Sequence, residues 1–536
     1  MNRNLWIKRA AALLLALALL SCAGCSVFRR SVPEATAEPT ASPEPTAEPV
    51  RGGTLRLPIP VNASFEDPFD VDTEEMLNLY SLMYDKLLSV SANGEIEPCL
   101  CESWTSEGSG VWLLKLREGV KWHDSGVLTA RDVIYTYTSL VEAEDSYYKP
   151  CLDHILGIEE VDDQTLRASL DIPGLMGLYS LVFPVKKEAS LIGTGAYKLA
   201  RQTDDSIMLR VNEEWWDKQP YIELILFYER DSTSTALASY EANQLNMVPT
   251  DLLTAGKYGE LGVTDVHDIM TQNMEVLLFD HESSVFRMRE LRLAVAHAVN
   301  RSRIITNVYM NRARMADSPI PPDSWLNSTT LGTLGYDPEH SLTLVEDAGF
   351  TVISGAENGL RYSKAGESLS IKLLTSATTD NTVRSDAAAM IASELESLGF
   401  AVEIITKKHT LGSSESEFVR ALREGGWDMA LVGFNLGLGN ELSSYVDSDG
   451  ANNFGHINDP ELEALSRKMM TALTEEELRE AARDVQDYFL NNVPFVTLYF
   501  RLNSIICSAE ILGMEGTRKP FIFADIKNWY IMGRNR

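Results

Sequence analysis

Chemistry on a protein needs particular side chains at particular spacings, and across these 536 residues the common constellations are incomplete. His281-Glu282 has no second histidine one helical turn further on, so the zinc-protease pair is missing. Gly437-Leu438-Gly439 ends at Leu442, where a dinucleotide-binding loop needs its third glycine, and neither a G-x-S-x-G elbow nor a P-loop occurs. Asp67, Asp70, Asp72, Glu74 and Glu75 form an acidic run suited to calcium. It lacks the loop glycine and closing glutamate of an EF-hand, so it reads as a solvated turn. The eight histidines are dispersed, and His123 and His297 fall inside strand and helix patterns where a structural role is the default. Cys99, Cys101, Cys151 and Cys507 have no metal-site spacing and are expected as small buried residues. No catalytic residue, metal or cofactor is expected, which leaves binding.

Composition narrows what can be bound. Lysine and arginine number 47 against 77 acids, a net charge of −30, which repels phosphate backbones and anionic headgroups and excludes nucleic acid as a partner. Apolar residues at 45% and charged residues at 23% are those of a folded globular chain. The length accommodates about three domains at roughly 150 residues each.

The first 25 residues read as an export address. Arg3, Lys8 and Arg9 precede the apolar run Ala10–Leu20, and small residues with two cysteines follow, the pattern of a secretory signal peptide. Eleven apolar residues fall short of the ~20 needed to span a bilayer. A cysteine directly behind such a run resembles the bacterial lipobox, whose thiol is acylated. Two frames compete: Leu19-Leu20-Ser21 before Cys22, and Ala23-Gly24 before Cys25. Residues 26–50, rich in Pro, Ala, Thr and Glu, cannot pack and read as a tether. In polyproline II geometry at ~3.1 Å per residue, Ser31–Val50 would reach ~60 Å.

The remainder alternates strand and helix signals. Thr54–Leu57, Val111–Val120, Leu166–Ile172, Ile207–Val211 and Ile222–Tyr228 read as strands. Strand Ser368–Thr375, a helix within Asp380–Leu398 and strand Ala401–Thr406 form a βαβ crossover, hence a parallel α/β unit. Arg289–Asn300 repeats the amphipathic period, and Thr474 with Glu477 stands at capping-box spacing before a helix that Pro494 ends.

Several stretches, in order, resemble the bacterial extracellular solute-binding proteins that serve oligopeptide, dipeptide and nickel importers (family 5), across nearly all of Arg51–Ile531. The most specific is Leu116–Tyr137, LREGVKWHDSGVLTARDVIYTY. Gly52–Leu55, Asp67-Pro68, Glu102–Trp104, Gly193–Leu199, Asn212–Pro220 with Trp215-Trp216, Arg289–Asn300, Gly425–Gly433 and Asn491–Leu498 accompany it. Trp215 and Trp216 themselves read as packing beneath a loop.

The resemblance implies a two-lobe α/β fold of the type II periplasmic-binding kind with an extra domain and the ligand cleft between lobes. It implies lobe I from segments 51–83, 191–269 and 491–536, a subdomain at 84–190, and a second α/β lobe at 270–490. By position it places Phe434 and Asn435 at the cleft, with Tyr147 or Tyr148 from the loop Asp145–Lys149. Peptide-binding members carry an aspartate three residues after the cleft aromatic. Gly437 stands there, so blocked peptides, sugars and opines stay open as ligands beside free peptides.

The expectation is a monomeric, non-enzymatic, lipid-anchored receptor on the outer face of the cell membrane. It would capture peptides or other small solutes by hinge closure and pass them to the permease and ATPase subunits of an ABC importer. Rival readings are a lipid-anchored hydrolase of extracellular polymer and a ligand sensor without a transporter.

Overall fold

The computed structural model describes residues 49–532 apart from 62, 64–66, 72, 144–145, 355–358, 379–380, 411–415 and 440. The expected signal peptide, Cys22, Cys25 and the tether through residue 48 lie outside these, as do Asp72, Asp145 and Asp380. Among the described residues no helix is long and apolar enough to cross a membrane.

Alternation of side chains builds the first sheet. In Thr54–Pro60 every second residue, Leu55, Leu57 and Ile59, is buried. This strand lies parallel to Leu224–Arg230, and Ser206–Val211 and Tyr197–Gln202 continue the sheet antiparallel. An antiparallel sheet of Cys101–Gly108, Val111–Leu116, Thr165–Leu170 and Ile155–Asp162 packs into the same apolar core. So do helix Glu74–Met83 and residues of the C-terminal stretch from Ile511 to Trp529.

The larger sheet runs in the order Met247–Thr250, Phe495–Ser508, Thr264–Phe279, Met429–Asn435, Ser370–Ala377 and Ala401–Lys408, with Ala313–Met315 added along Phe495–Ser508. Period-two alternation gives it two apolar faces. Met274, Val276 and Leu278 enter one core, Leu277 and Phe279 the other. Helix Val383–Ser397 connects the parallel strands Ser370–Ala377 and Ala401–Lys408, the expected crossover. Helix Glu475–Asn492 opens with the reciprocal Thr474–Glu477 hydrogen bonds and ends before Pro494.

Two strands join the bodies built on these sheets. Thr264–Phe279 and Phe495–Ser508 pair antiparallel along most of their length. Ile269, Ile505 and Cys507 belong to the first core, whereas Val276, Leu278 and Phe495 belong to a core of the second body. Between Met270 and Met274 the register slips: Thr271, Gln272 and Asn273 face only Arg501. A second tie lies off these strands, where the amides of Gly174 and Leu175 donate to the carbonyls of Met470 and Ala472, each at 2.8 Å.

Several expectations are corrected. The helix from Arg289 ends at Ala298, because the Asn300 side chain accepts from Arg303 N and caps a new helix, Arg301–Asn307. The strand from Val111 ends at Leu116, since Gly119 turns at a φ of 74°. The acidic run is not simply a solvated turn: Asp67 pairs with the buried Lys186 and Glu74 with Lys519, because ammonium groups drawn toward the core need counter-ions. Cys101 and Cys507 are buried but Cys99 and Cys151 only partly so, and all four thiols are free. Trp215 and Trp216 pack partly buried against the first core, and both indole N–H groups donate to the buried Asp85.

Two histidines carry a pH dependence. His123 donates through Nε2 to the Gly195 carbonyl at 3.0 Å, and His281 likewise to Pro494 at 2.8 Å. Burial pushes both imidazoles down to about 4. The unfolded chain, titrating near ~6.5, takes up these protons first, so stability is present above that pH and is lost as pH falls toward 4. Each histidine is expected to account for about 3 kcal/mol of that loss. Urea denaturation at pH 7 and pH 4 tests it: His123→Gln should shrink the decline by that amount, and an unchanged decline contradicts the assignment.

Candidate ligand-binding cleft

Where the register slips, the sheet surface opens into a run of four adjoining hollows. The first, about 250 Å³, lies on the first body beside Leu57, Glu75 and Asn503. The second, about 180 Å³, shares Asp251 with it. The third, about 340 Å³, shares Glu275, Arg384, His409 and Arg501 with the second. The fourth, about 220 Å³, meets the third at Asn435. Residues of both bodies line this groove, and the crossing strands contribute Asn273, Glu275, Arg501 and Asn503 to it.

An ion pair between a buried carboxylate and a partly buried guanidinium forms one wall. Glu275 is 1% exposed, on the crossing strand just past the slip. Arg384, in the first turn of helix Val383–Ser397, grips it with both prongs at 2.8 and 2.9 Å and donates to Ser376 Oγ at 3.3 Å. Burial opposes the Arg384 charge, but the field and hydrogen bonds of Glu275 outweigh it and hold the guanidinium above its ordinary value. Gly433 leaves room for this pair, because a β-carbon there would displace the Arg384 fork from its present position. Burial, and then the charge of Arg384, holds His409 below its usual value, so the imidazole in this wall is neutral near pH 7.

The fourth hollow is more apolar, with Ile172 and Met176 opposite Leu436 and Leu438. At its edge His154 Nδ1 lies 3.0 Å from Asp171 and Nε2 lies 3.9 Å from Glu441, whose carboxyl burial pushes upward.

Phe434 and Asn435 both line the third hollow. Phe434 is 6% exposed and packs on Tyr445 with ring centroids 4.6 Å apart, while the Tyr445 hydroxyl donates to the Asn435 carbonyl. Asn435 is exposed, and its Oδ1 accepts from Gly437 N at 3.0 Å, closing a turn in which Gly437 takes a φ of 64°. That left-handed backbone suits glycine. Tyr147 and Tyr148 are not brought to these hollows: Tyr147 is 44% exposed, Tyr148 is buried, and they stack edge to face. Their neighbours Pro150 and Cys151 line the fourth hollow instead.

Sequence reasoning passed over Glu275, Arg384, Asp251 and Arg501. Glu275 had a signal, being a lone acid inside Met274–Phe279, and so did Arg501, a lone charge within Phe495–Ile506. Arg384 and Asp251 had none.

Two lobes of α/β structure spanned by a pair of strands, with a groove at the crossing, define a binding-protein fold. The family described as bacterial extracellular solute-binding proteins, family 5 Middle, matches residues 95–455, and the chain belongs to that family, one of solute-binding proteins rather than enzymes. It is 24% identical to the dipeptide-binding protein of Escherichia coli K12 over 50% of this chain and 58% of that protein, so the match spans little more than half the relative's length. It is 22% identical to the oligopeptide-binding protein AppA of Bacillus subtilis over 97% of each chain. The unliganded open form of the periplasmic murein tripeptide-binding protein MppA superposes with a TM-score of 0.78 at 18% identity, covering 90% of this chain and 98% of that one.

The ion pair yields a prediction. Glu275→Ala leaves the partly buried Arg384 without its partner, at an expected cost of about 1–3 kcal/mol. Glu275→Gln, which keeps one acceptor, should lose less. Denaturant midpoints check the order; equal stability of Glu275→Ala and wild type contradicts it.

Proposed function

We propose that this chain is the substrate-binding subunit of an ABC importer, capturing peptides or peptide-like solutes by hinge closure and handing them to the permease and ATPase subunits. The observation that carries the reading is the groove of four linked hollows laid across the two crossing strands. An elongated solute in it would touch both bodies at once. Such a ligand binds the closed arrangement better than the open one and shifts the population toward it, and a permease can read that change. The chain's likeness to relatives named for dipeptide and oligopeptide binding supports the solute class.

On this reading Cys22, or Cys25 in the alternative frame, carries the lipid, and residues 26–50 tether a monomeric receptor to the outer face of the cell membrane. Two acyl chains make such anchoring stable, at ~0.8 kcal/mol per buried CH₂. Lobe I comprises 51–83, 191–269 and 491–536, with the subdomain at 84–190 and the second lobe at 270–490. The shared sheet of Thr54–Pro60 and Leu224–Arg230 supports the joining of the first two lobe I segments.

Thermal unfolding of the chain from Arg51 onward tests this, with di- to hexapeptides, N-acetylated peptides, oligosaccharides and nickel chelates added singly. A ligand present at 100 times its Kd adds about 2.7 kcal/mol and raises the midpoint. A rise with peptides is expected. A rise with sugars or chelates alone would move the solute class, and no rise with any of them contradicts the receptor reading.

A further inference from the structure

Most charges in the groove are already spent. The Arg384 fork is filled by Glu275, and Lys519 is paired with Glu74. Two groups differ. Arg501 and Asp251 both line the second hollow, and among the described residues neither side chain has a hydrogen-bond or ion-pair partner. Arg501 is held there by the strand: Phe495–Phe500 are all buried, whereas Arg501 and Asn503, two residues apart and so on one face, are partly open toward the groove. Thr271 Oγ1 donates to the Arg501 carbonyl at 2.8 Å, fixing the backbone from which the side chain rises.

An unpaired guanidinium on a groove floor, in a chain of net charge −30, is a site made for an anion that arrives from outside. Its planar fork matches a carboxylate in two parallel hydrogen bonds. Asp251 in the same hollow makes that site unfavourable for a dianion such as phosphate and favourable for a ligand that also carries a cation.

We propose that Arg501 holds the carboxylate of the bound solute and Asp251 an ammonium group of the same solute, so that the groove selects zwitterions such as short unblocked peptides over neutral sugars and phosphorylated compounds. This rests on the solute-receptor reading and specifies the charges that reading leaves open. Side chains of the solute then extend into the first and third hollows, which flank the second.

Calorimetric titration with L-leucyl-L-leucine, its C-terminal amide and its N-acetyl form tests it. Wild type is expected to bind the free dipeptide about 10–100-fold more tightly than the amide, the range for a charge-assisted hydrogen-bonded pair. Arg501→Gln should weaken the free dipeptide by a similar factor without weakening the amide, and Arg501→Lys should restore part of the loss. Asp251→Asn should erase the preference for the free over the N-acetyl form. Because the acid–amide comparison needs no variant, it stands even if a substitution disturbs folding. Equal binding of acid and amide by wild type, or equal weakening of both by Arg501→Gln, overturns this inference and leaves the receptor reading intact. Binding of none of the three forms overturns it together with the peptide part of that reading.

Discussion

The pairing of two long strands governs this molecule. Thr264–Phe279 and Phe495–Ser508 are hydrogen-bonded to each other in both bodies, so each half of the chain is folded onto the other's backbone. A ladder in perfect register through the junction would make a stiff beam. The two extra residues on the first strand at 271–273 interrupt it: the Thr271 hydroxyl bonds the Arg501 carbonyl and the Gln272 carbonyl accepts from Leu436 N at 3.2 Å, while the Gln272 side-chain Nε2 is buried without a partner among the described residues. Bulges of this kind bend a strand and re-aim its side chains. Here they place Asn273 on one strand and Arg501 on the other in the same hollow.

From that constraint the site's chemistry follows. Immediately past the slip, Glu275 points into an interior that does not tolerate an unpaired carboxylate, and Arg384 reaches from helix Val383–Ser397 to meet it, past Gly433. The pair ties helix Val383–Ser397 to the crossing strand at the wall of the groove. Since this pair is internally neutral, the free charge of the second hollow is set by Arg501 and Asp251.

Much of the fold was legible because it rests on local patterns: the crossover at 370–408, the capping box at Thr474 and the apolar face of the helix from Arg289 are periodicities of 2 and 3.6 with standard punctuation. The shared core of 54–60, 101–170 and 511–529 was not, because contacts between distant segments leave no trace in any window. The site divided in the same way. Phe434 and Asn435 end a strand whose glycine-aspartate entry is recognisable, and they line the groove. Tyr147 and Tyr148 sit beside a helix of four residues, Lys149–Leu152, where a shift of one or two positions decides which side chain faces the hollow, and there Pro150 and Cys151 do so. Glu275 and Arg501 were readable as charges stranded in apolar strands; the partner of Glu275, 109 residues away, was not.

The proposed receptor function requires the crossing strands to act as a hinge. Spin labels at Thr233, on the rim of the first hollow, and at Arg420, beside the third, report the separation of the two bodies by pulsed dipolar spectroscopy. With any solute that raises the unfolding midpoint, the distance distribution is predicted to move to shorter values and to narrow. An unchanged distribution with that solute bound would contradict hinge closure.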